Sequence, residues 1–432
     1  MVSHKIYHTL LFKLLFYIVA FFPLILIFRS ATVNTLTLLL SIFFLIYIKI
    51  AKINLISIFH NCRFIYLFFF FLFILINSII NGQDYIIILK SFGNFRYLLL
   101  SIIVFFVLDN INTYQKKFLI YLNFFLIFFV CIDIVYQYFF YENLFGNKPG
   151  MCPKGINAGC QRFSGVFGDE LIAGTYLSQI GILFFLLFYF FNQQEKKLTL
   201  NKNIVFFFGL FLVVLITGER NAALILILSF FFFFLFQKKF KIILSTIILS
   251  IGIIFFLGMF SKSVEERFLT PIKSFYDIDR LNFSQKIINN PWAYHYLASV
   301  ELFFEKPIFG HGPKSYRIVC KKTKIEKKLN ANKQIPYRAC ATNPHNYLFE
   351  FLSENGIVGG IFYIGFIFTI INQILVIRKN DTPENLKVIA VGSLILAVLF
   401  PFKPSGSFFS TFNSVMLFYI YGFYLYYLKN AK

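Results

Sequence analysis

The sequence predicts an all-α polytopic membrane protein of about twelve transmembrane helices, with a large loop between the ninth and the tenth. Three observations predict it. Of 432 residues, 58% are hydrophobic, 65 are phenylalanine and only 14% are charged, whereas soluble domains are about half apolar and about a quarter charged. Apolar runs of about 16–22 residues recur along the chain, the length that crosses about 30 Å of hydrocarbon. The segments between these runs alternate between basic and nearly uncharged, as loops on opposite sides of a bilayer do.

The runs fall at about 12–28, 31–48, 64–80, 94–108, 118–140, 171–191, 203–217, 221–236, 242–260, 357–377, 387–402 and 411–428, within one integral membrane domain over 1–432. The first has the basic start of a signal peptide in Lys5 and Lys13. No small-residue cleavage site follows Ile27-Phe28-Arg29, so it is expected to be retained as a span. One set of connecting segments carries Lys49, Lys52 and Arg63; Lys116 and Lys117; Lys196, Lys197 and Lys202; Lys238, Lys239 and Lys241; Arg378, Lys379 and Lys387; and Lys429 and Lys432. The positive-inside rule makes that set, and both termini, cytoplasmic. The net charge of +22 is therefore first a topology signal.

Two outward loops are long. The first, about 141–170, holds Cys152 and Cys160; the second, about 261–356, holds Cys320 and Cys340. Outward thiols in an oxidising compartment pair readily. Four cysteines allow three connectivities, of which Cys152–Cys160 with Cys320–Cys340 closes the smallest loops. The gaps do not match zinc-ligand spacing.

Within the large loop, Trp292 to Phe304 has helical spacing and no breaker, and ends at the Pro/Gly turn Lys306-Pro307-Ile308-Phe309-Gly310-His311-Gly312. Lys321 to Lys333 is a basic excursion. Asn343-Pro344-His345-Asn346-Tyr347 then returns the chain to the membrane. Asn343 is expected as the N-cap and Pro344 at the first helical position, which puts His345 in the first turn. Ser353-Glu354-Asn355-Gly356 supplies stop signals, and Leu348, Phe349, Phe351 and Leu352 predict a short helix lying on the membrane surface. The last three spans occupy 357–428.

No repeat and no Walker, Rossmann or HExxH motif is present, and nothing points to nucleic acid, because the basic residues belong to the topology pattern and one loop. His345 is the first candidate for chemistry. A helix N-terminus disfavours a positive charge, so a neutral imidazole there can accept a proton; the plainer reading is a capping or interfacial histidine. Arg220, in Thr217-Gly218-Glu219-Arg220-Asn221, is a charged residue in a short outer hairpin that the topology bias should keep free of cations. It reads as a phosphate clamp at headgroup depth, or as an anchor ion-paired to Glu219. Arg162, in Gln161-Arg162-Phe163-Ser164-Gly165, reads as a second clamp or as part of an ordinary re-entry turn. His311 and His295 are weaker candidates, and Arg267, Arg280, Lys314 and Arg317 are secondary phosphate contacts. Residues 261–344 carry 15 Lys/Arg against 7 Asp/Glu. A base at a helix start with arginines on one face suits a lipid diphosphate donor, the arginines stabilising the leaving diphosphate without a metal. A transporter would instead place ionisable residues near the membrane midplane, where this chain has almost none.

Together these motifs resemble the bacterial O-antigen ligase and O-antigen polymerase superfamily. The resemblance rests on Gly218-Glu219-Arg220, Pro307-Ile308-Phe309-Gly310-His311-Gly312, Pro344-His345-Asn346 followed by Glu354-Asn355-Gly356, and Arg162-Phe163-Ser164-Gly165 through Gly168-Asp169-Glu170-Leu171. It implies a GT-C-like fold in the bacterial inner membrane, acting at the periplasmic face on undecaprenyl-diphosphate-linked glycans, with no metal or nucleotide cofactor. The acceptor is lipid A-core for a ligase and a second lipid-linked glycan for a polymerase. His345 matches the family's general base and Arg220 its diphosphate-binding arginine, with Glu219, Asn346 and His311 in support. A further family arginine before the loop's helical run is replaced here by Asn289-Asn290-Pro291-Trp292, leaving Arg280 or Arg267 to substitute. A protein O-glycosylating relative is disfavoured, because those relatives carry a longer C-terminal outer domain.

Overall fold

The computed structural model describes residues 2–54, 63–151, 161–193, 200–276, 291–323, 325, 327, 339–380 and 382–431. The main helices are α1 (Val2–Ala20), α2 (Ser30–Ala51), α3 (Arg63–Ile80), α4 (Phe95–Asn110), α5 (Thr113–Phe140), α6 (Ala173–Phe191, with a π-turn at Leu177–Gly181), α7 (Leu200–Ile216), α8 (Arg220–Phe236) and α9 (Phe240–Phe260). They continue with α10 (Pro291–Glu305), α11 (Tyr316–Lys322), α12 (Tyr347–Ile377), α13 (Pro383–Val398) and α14 (Thr411–Asn430).

The apolar runs read from the sequence overlap these helices, although the run at 12–28 continues past the end of α1 at Ala20. Among the described residues, six helical stretches are long and apolar enough to cross a membrane: Ser30–Ala51, Tyr85–Asn110, Thr113–Phe140, Ala173–Phe191, Phe240–Phe260 and Tyr347–Ile377. Leu10–Ala20, Phe64–Ile80, Phe207–Ile216 and Arg220–Phe236 are shorter apolar helices. The described residues are all-α apart from a two-residue antiparallel ladder, β1 (Gly150–Met151) against β2 (Gln161–Arg162).

The bundle sorts its helices by exposure. In α13 every residue from Lys387 to Val398 is buried, and α14 is buried along almost its whole length. Gly422 of α14 lies so close to α4 that a Cβ there would meet Val104 and the Ser101 carbonyl. A helix that is apolar on all sides belongs at a bundle centre. At the other extreme, α9 buries only Ile243, Thr246, Ser250 and Gly258, and exposes Ile248, Phe255, Phe256 and Met259. That face suits lipid contact.

Between α9 and α12, helices α10 and α11 enclose a separate small core of Tyr294, Ala298, Leu302, Tyr316, Cys320, Ile325, Ala339 and Cys340. Cys320 and Cys340 form a disulfide within it. Cys152 and Cys160 lie outside the described residues, as do Arg280, Asn289, Asn290 and most of the Lys321–Lys333 run.

The turn at Pro307–Gly312 meshes with a break in α12. Gly356 has φ +62° and ψ −162° inside the helix. Ile357 N–H donates to the Pro307 carbonyl at 2.8 Å and Val358 N–H to that of Ile308 at 3.3 Å. In return, the Glu354 carbonyl accepts from Gly312 N–H at 2.7 Å and that of Ser353 from His311 N–H at 3.4 Å. Backbone groups released by the kink are thus satisfied by the turn. A Cβ on Gly356 would collide with the Ile308 carbonyl, and one on Gly310 with Glu354 backbone.

Two expectations are corrected here. The helix after His345 begins at Tyr347, with Asn346 as N-cap: its side chain accepts from Phe349 N–H at 3.1 Å. Asn343 instead accepts the N–H of His345 at 2.8 Å, which folds the proline into a turn and delays the helix by three residues. The first half of α12 also does not lie on the surface. Glu350, Phe351, Ser353, Glu354 and Asn355 are all buried. Glu350 accepts from the Ser407 hydroxyl and from Phe408 N–H, and Glu354 accepts from Lys314 N–H and Tyr316 N–H. Those internal donors are what allow two carboxylates to be buried.

Candidate functional site

A cavity of about 670 Å³ opens where the ends of α6, α8 and α14 meet the segments before α10 and α12. Its lining includes Arg162, Arg220, Arg267 and His345, and it falls within the usual size of a ligand site.

Arg162 is placed by the short ladder, in register with Gly150. Downstream the chain is pinned to α5, since Gly165 N–H donates to Gln137 Oε1 at 2.8 Å and Asn143 Nδ2 donates to the Gly165 carbonyl at 2.8 Å. Arg162 Nη2 donates to the Leu171 carbonyl at 2.9 Å and lies 3.7 Å from Glu219. Glu219 is thus the ion partner of Arg162. Its carboxylate also accepts from Gly174 N–H, Thr175 N–H and the Thr175 hydroxyl at 2.9, 3.1 and 2.7 Å. A carboxylate on the first amides of α6 is well placed against the helix dipole.

Arg220 is the first residue of α8 and lines the cavity. Gly218, at φ +71°, turns the chain between α7 and α8, and its carbonyl accepts from Arg267 Nε at 2.9 Å. Arg267 lies in the π-turn Glu265–Leu269 just after α9. Burial, then the neighbouring Arg220 and Arg162, lower its pKa to about 10, against a smaller opposing pull from Glu219. Three guanidinium groups around one carboxylate leave the cavity with a surplus of positive charge, the arrangement that favours an anion.

His345 has φ +56°, a conformation that costs a non-glycine residue about 1–2 kcal/mol. It is held at both ends, its N–H on the Asn343 side chain and its carbonyl accepting from Ser405 N–H at 2.8 Å. Asn346 clamps the same loop, donating through Nδ2 to the carbonyls of Pro401 at 2.7 Å and Lys403 at 3.0 Å. Burial, with the nearby His295 ring, pushes the His345 pKa down to about 4, so the imidazole is neutral at pH 7.

The structure therefore brings together Arg162, Arg220, Arg267, Glu219 and His345, with Asn346 directly behind. His311 lies elsewhere, with Nε2 3.1 Å from the Leu302 carbonyl and 3.5 Å from Glu305. His295 supports His345, its Nδ1 2.8 Å from the Ala339 carbonyl. Lys314 packs beside Glu354, and neither it nor Arg317 lines the cavity. Among the described residues no group of three or more His, Cys, Asp or Glu is gathered as metal ligands would be.

Sequence reasoning missed the loop between α13 and α14, which contributes Pro404, Ser405, Gly406 and Ser410 to the cavity, followed by Phe412 and Asn413 of α14. A signal existed in Pro401-Phe402-Lys403-Pro404-Ser405-Gly406-Ser407, a run too rich in breakers for a tight turn.

Fold and site together define a polytopic membrane protein with a cationic cavity beside a neutral histidine at one end of the bundle. Residues 204–364 match the family model described as O-antigen ligase. The match includes Arg220, Arg267 and His345; Arg162 and the 404–413 wall come from outside it. No curated protein sequence matches the chain.

Proposed function

We propose that this protein is a glycosyltransferase of the bacterial inner membrane that moves a glycan from undecaprenyl diphosphate to a sugar hydroxyl of lipid A-core. In this reading the chain crosses the membrane about twelve times, with both termini cytoplasmic and the cavity periplasmic. The observation that carries it is the convergence of Arg162, Arg220, Arg267 and His345 on one cavity.

The donor's diphosphate lies against the three guanidinium groups, which can bind phosphate oxygens through paired bonds. His345 takes the proton of the acceptor hydroxyl through an imidazole nitrogen. The oxygen attacks the anomeric carbon and forms the new glycosidic bond. The bond from that carbon to the diphosphate breaks, and undecaprenyl diphosphate leaves with the bonding pair. Arginines preorganised around the departing charge stabilise it with little reorganisation. The chemistry uses this chain's side chains and no cofactor.

The test is the lipopolysaccharide profile of a deletion strain complemented with wild type, His345→Ala or Arg220→Ala. Glycan left on lipid carrier, restored to core by wild type and by neither variant, supports a ligase. A single repeat on core indicates a polymerase. Full activity of either variant at normal membrane levels overturns the assignment.

A further inference from the structure

The cavity lining divides into two chemically distinct groups. The charged group consists of Arg162, Glu219, Arg220 and Arg267. The group from the 404–413 segment, Pro404, Ser405, Gly406, Ser410, Phe412 and Asn413, contains no ionisable side chain. His345 belongs to both, because it lines the cavity and its carbonyl is bound by Ser405 N–H.

The uncharged part of the lining holds unspent hydrogen-bonding capacity. Ser405 is 6% exposed, and its hydroxyl is buried without a hydrogen-bond partner among the described residues. Asn221, which lines the cavity next to Arg220 on α8, has a buried side-chain carbonyl oxygen without a partner among the described residues. Native proteins pair buried polar atoms, and orphans at a cavity surface are donors and acceptors awaiting a ligand. The neighbouring wall is held in place independently of any ligand. Asn413 Nδ2 donates to the Ser407 carbonyl at 2.9 Å, Ser407 and Phe408 bind Glu350, and Asn346 binds Pro401 and Lys403.

We infer that Ser405, with Asn221 and the face of Phe412, forms the acceptor subsite, and that it selects an uncharged sugar over a phosphorylated one. This rests on the glycosyl-transfer reading above. The diphosphate of the donor belongs with the arginines, which leaves the uncharged lining next to His345 for the hydroxyl bearer. That lining offers a hydroxyl, an amide carbonyl and an aromatic ring, groups that suit sugar hydroxyls and C–H faces. Ser405 is a specificity residue that touches the acceptor; its backbone also positions His345.

The experiment uses the full chain in nanodiscs, with undecaprenyl-diphosphate-linked glycan as donor and rough lipopolysaccharide as acceptor, or the lipid-linked glycan alone if that is what wild type elongates. Ser405→Ala keeps the backbone N–H and removes only the hydroxyl. The expected result is a rise in acceptor KM of about 3- to 10-fold, the loss of one neutral hydrogen bond, with donor KM unchanged and Ser405→Thr restoring part of the affinity. The unchanged donor KM of Ser405→Ala also checks that the loop has folded. Unchanged acceptor KM in Ser405→Ala, with Arg220→Ala inactive, overturns the subsite and leaves the transfer reading standing. Full activity of Arg220→Ala and His345→Ala overturns that reading and the subsite with it.

Discussion

The imidazole rings of His295 and His345 lie with their centroids 5.1 Å apart, inclined at 58°. The proton on either ring would repel one on the other, and the Ala339 carbonyl at 2.8 Å from His295 Nδ1 fixes the orientation of the supporting ring. The pair therefore favours a neutral His345.

A pH profile reads this directly. Because burial and then His295 lower the His345 pKa to about 4, its base form persists as pH falls below the ordinary histidine range and is lost only through about 4. The acid limb of kcat/KM, which reports the free enzyme, is expected near that value. His295→Gln should move the limb upward only part of the way, since burial is the larger cause and remains. An acid limb near about 6.5, the unperturbed value, in wild type would disprove the depression by burial and the neighbouring ring.

Arg267 divides its guanidinium between structure and site. Its Nε holds the Gly218 carbonyl, and the rest of the group faces the cavity. Arg267→Ala should lower transfer about 10- to 100-fold, as for loss of a charge-assisted contact. Arg267→Lys should recover little, because an ammonium cannot bond in two directions as the planar fork does. Donor titration with each variant decides the matter; wild-type donor KM in Arg267→Ala would disprove the contact.

The Cys320–Cys340 bond closes the small core on the segment that carries Ala339 and leads to His345. A bridge of this span contributes about 3 kcal/mol by loop closure. Cys320→Ser with Cys340→Ser should lower the thermal midpoint and reduce transfer, and reductant should do the same to wild type. Identical midpoints with and without reductant would argue against any such contribution.

Gly356 is positioned by steric need. Its φ of +62° disfavours a side chain, and an added Cβ would strike the Ile308 carbonyl. Gly356→Ala should cost about 3 kcal/mol, combining left-handed strain with overpacking. Gly209→Ala is the control, since no atom lies within 4 Å of the position of its Cβ. Thermal unfolding in detergent separates the two; equal midpoints would contradict the meshed arrangement.

Much of this was legible in the sequence, and the rest was hidden for identifiable reasons. Apolar runs located the helices, because hydrocarbon imposes length and composition together. Arg220, Arg162 and His345 stood out as polar residues at run boundaries, and the structure gathers them around one cavity. The helix start at Asn346 was missed because Asn343 has the same capping chemistry, and only the Asn343–His345 turn and the clamp on Pro401 and Lys403 decide between them. Leu348, Phe349, Phe351 and Leu352 read as the apolar side of a surface helix, yet Glu350 and Glu354 of the same helix are buried on donors from residues about 40–60 positions away. The breaker-rich run at 401–407 marks the loop of Ser405, but nothing in a sequence marks which of its hydroxyls folds without a partner.

The disulfide also has a consequence at the site. Thiols pair in an oxidising compartment and stay reduced in the cytosol. The Ala339 carbonyl that orients His295 follows immediately before Cys340, inside the core that the bond closes. Formation of the bond therefore sets the backbone that orients the ring beside His345, so the state of two thiols is written into the surroundings of that histidine.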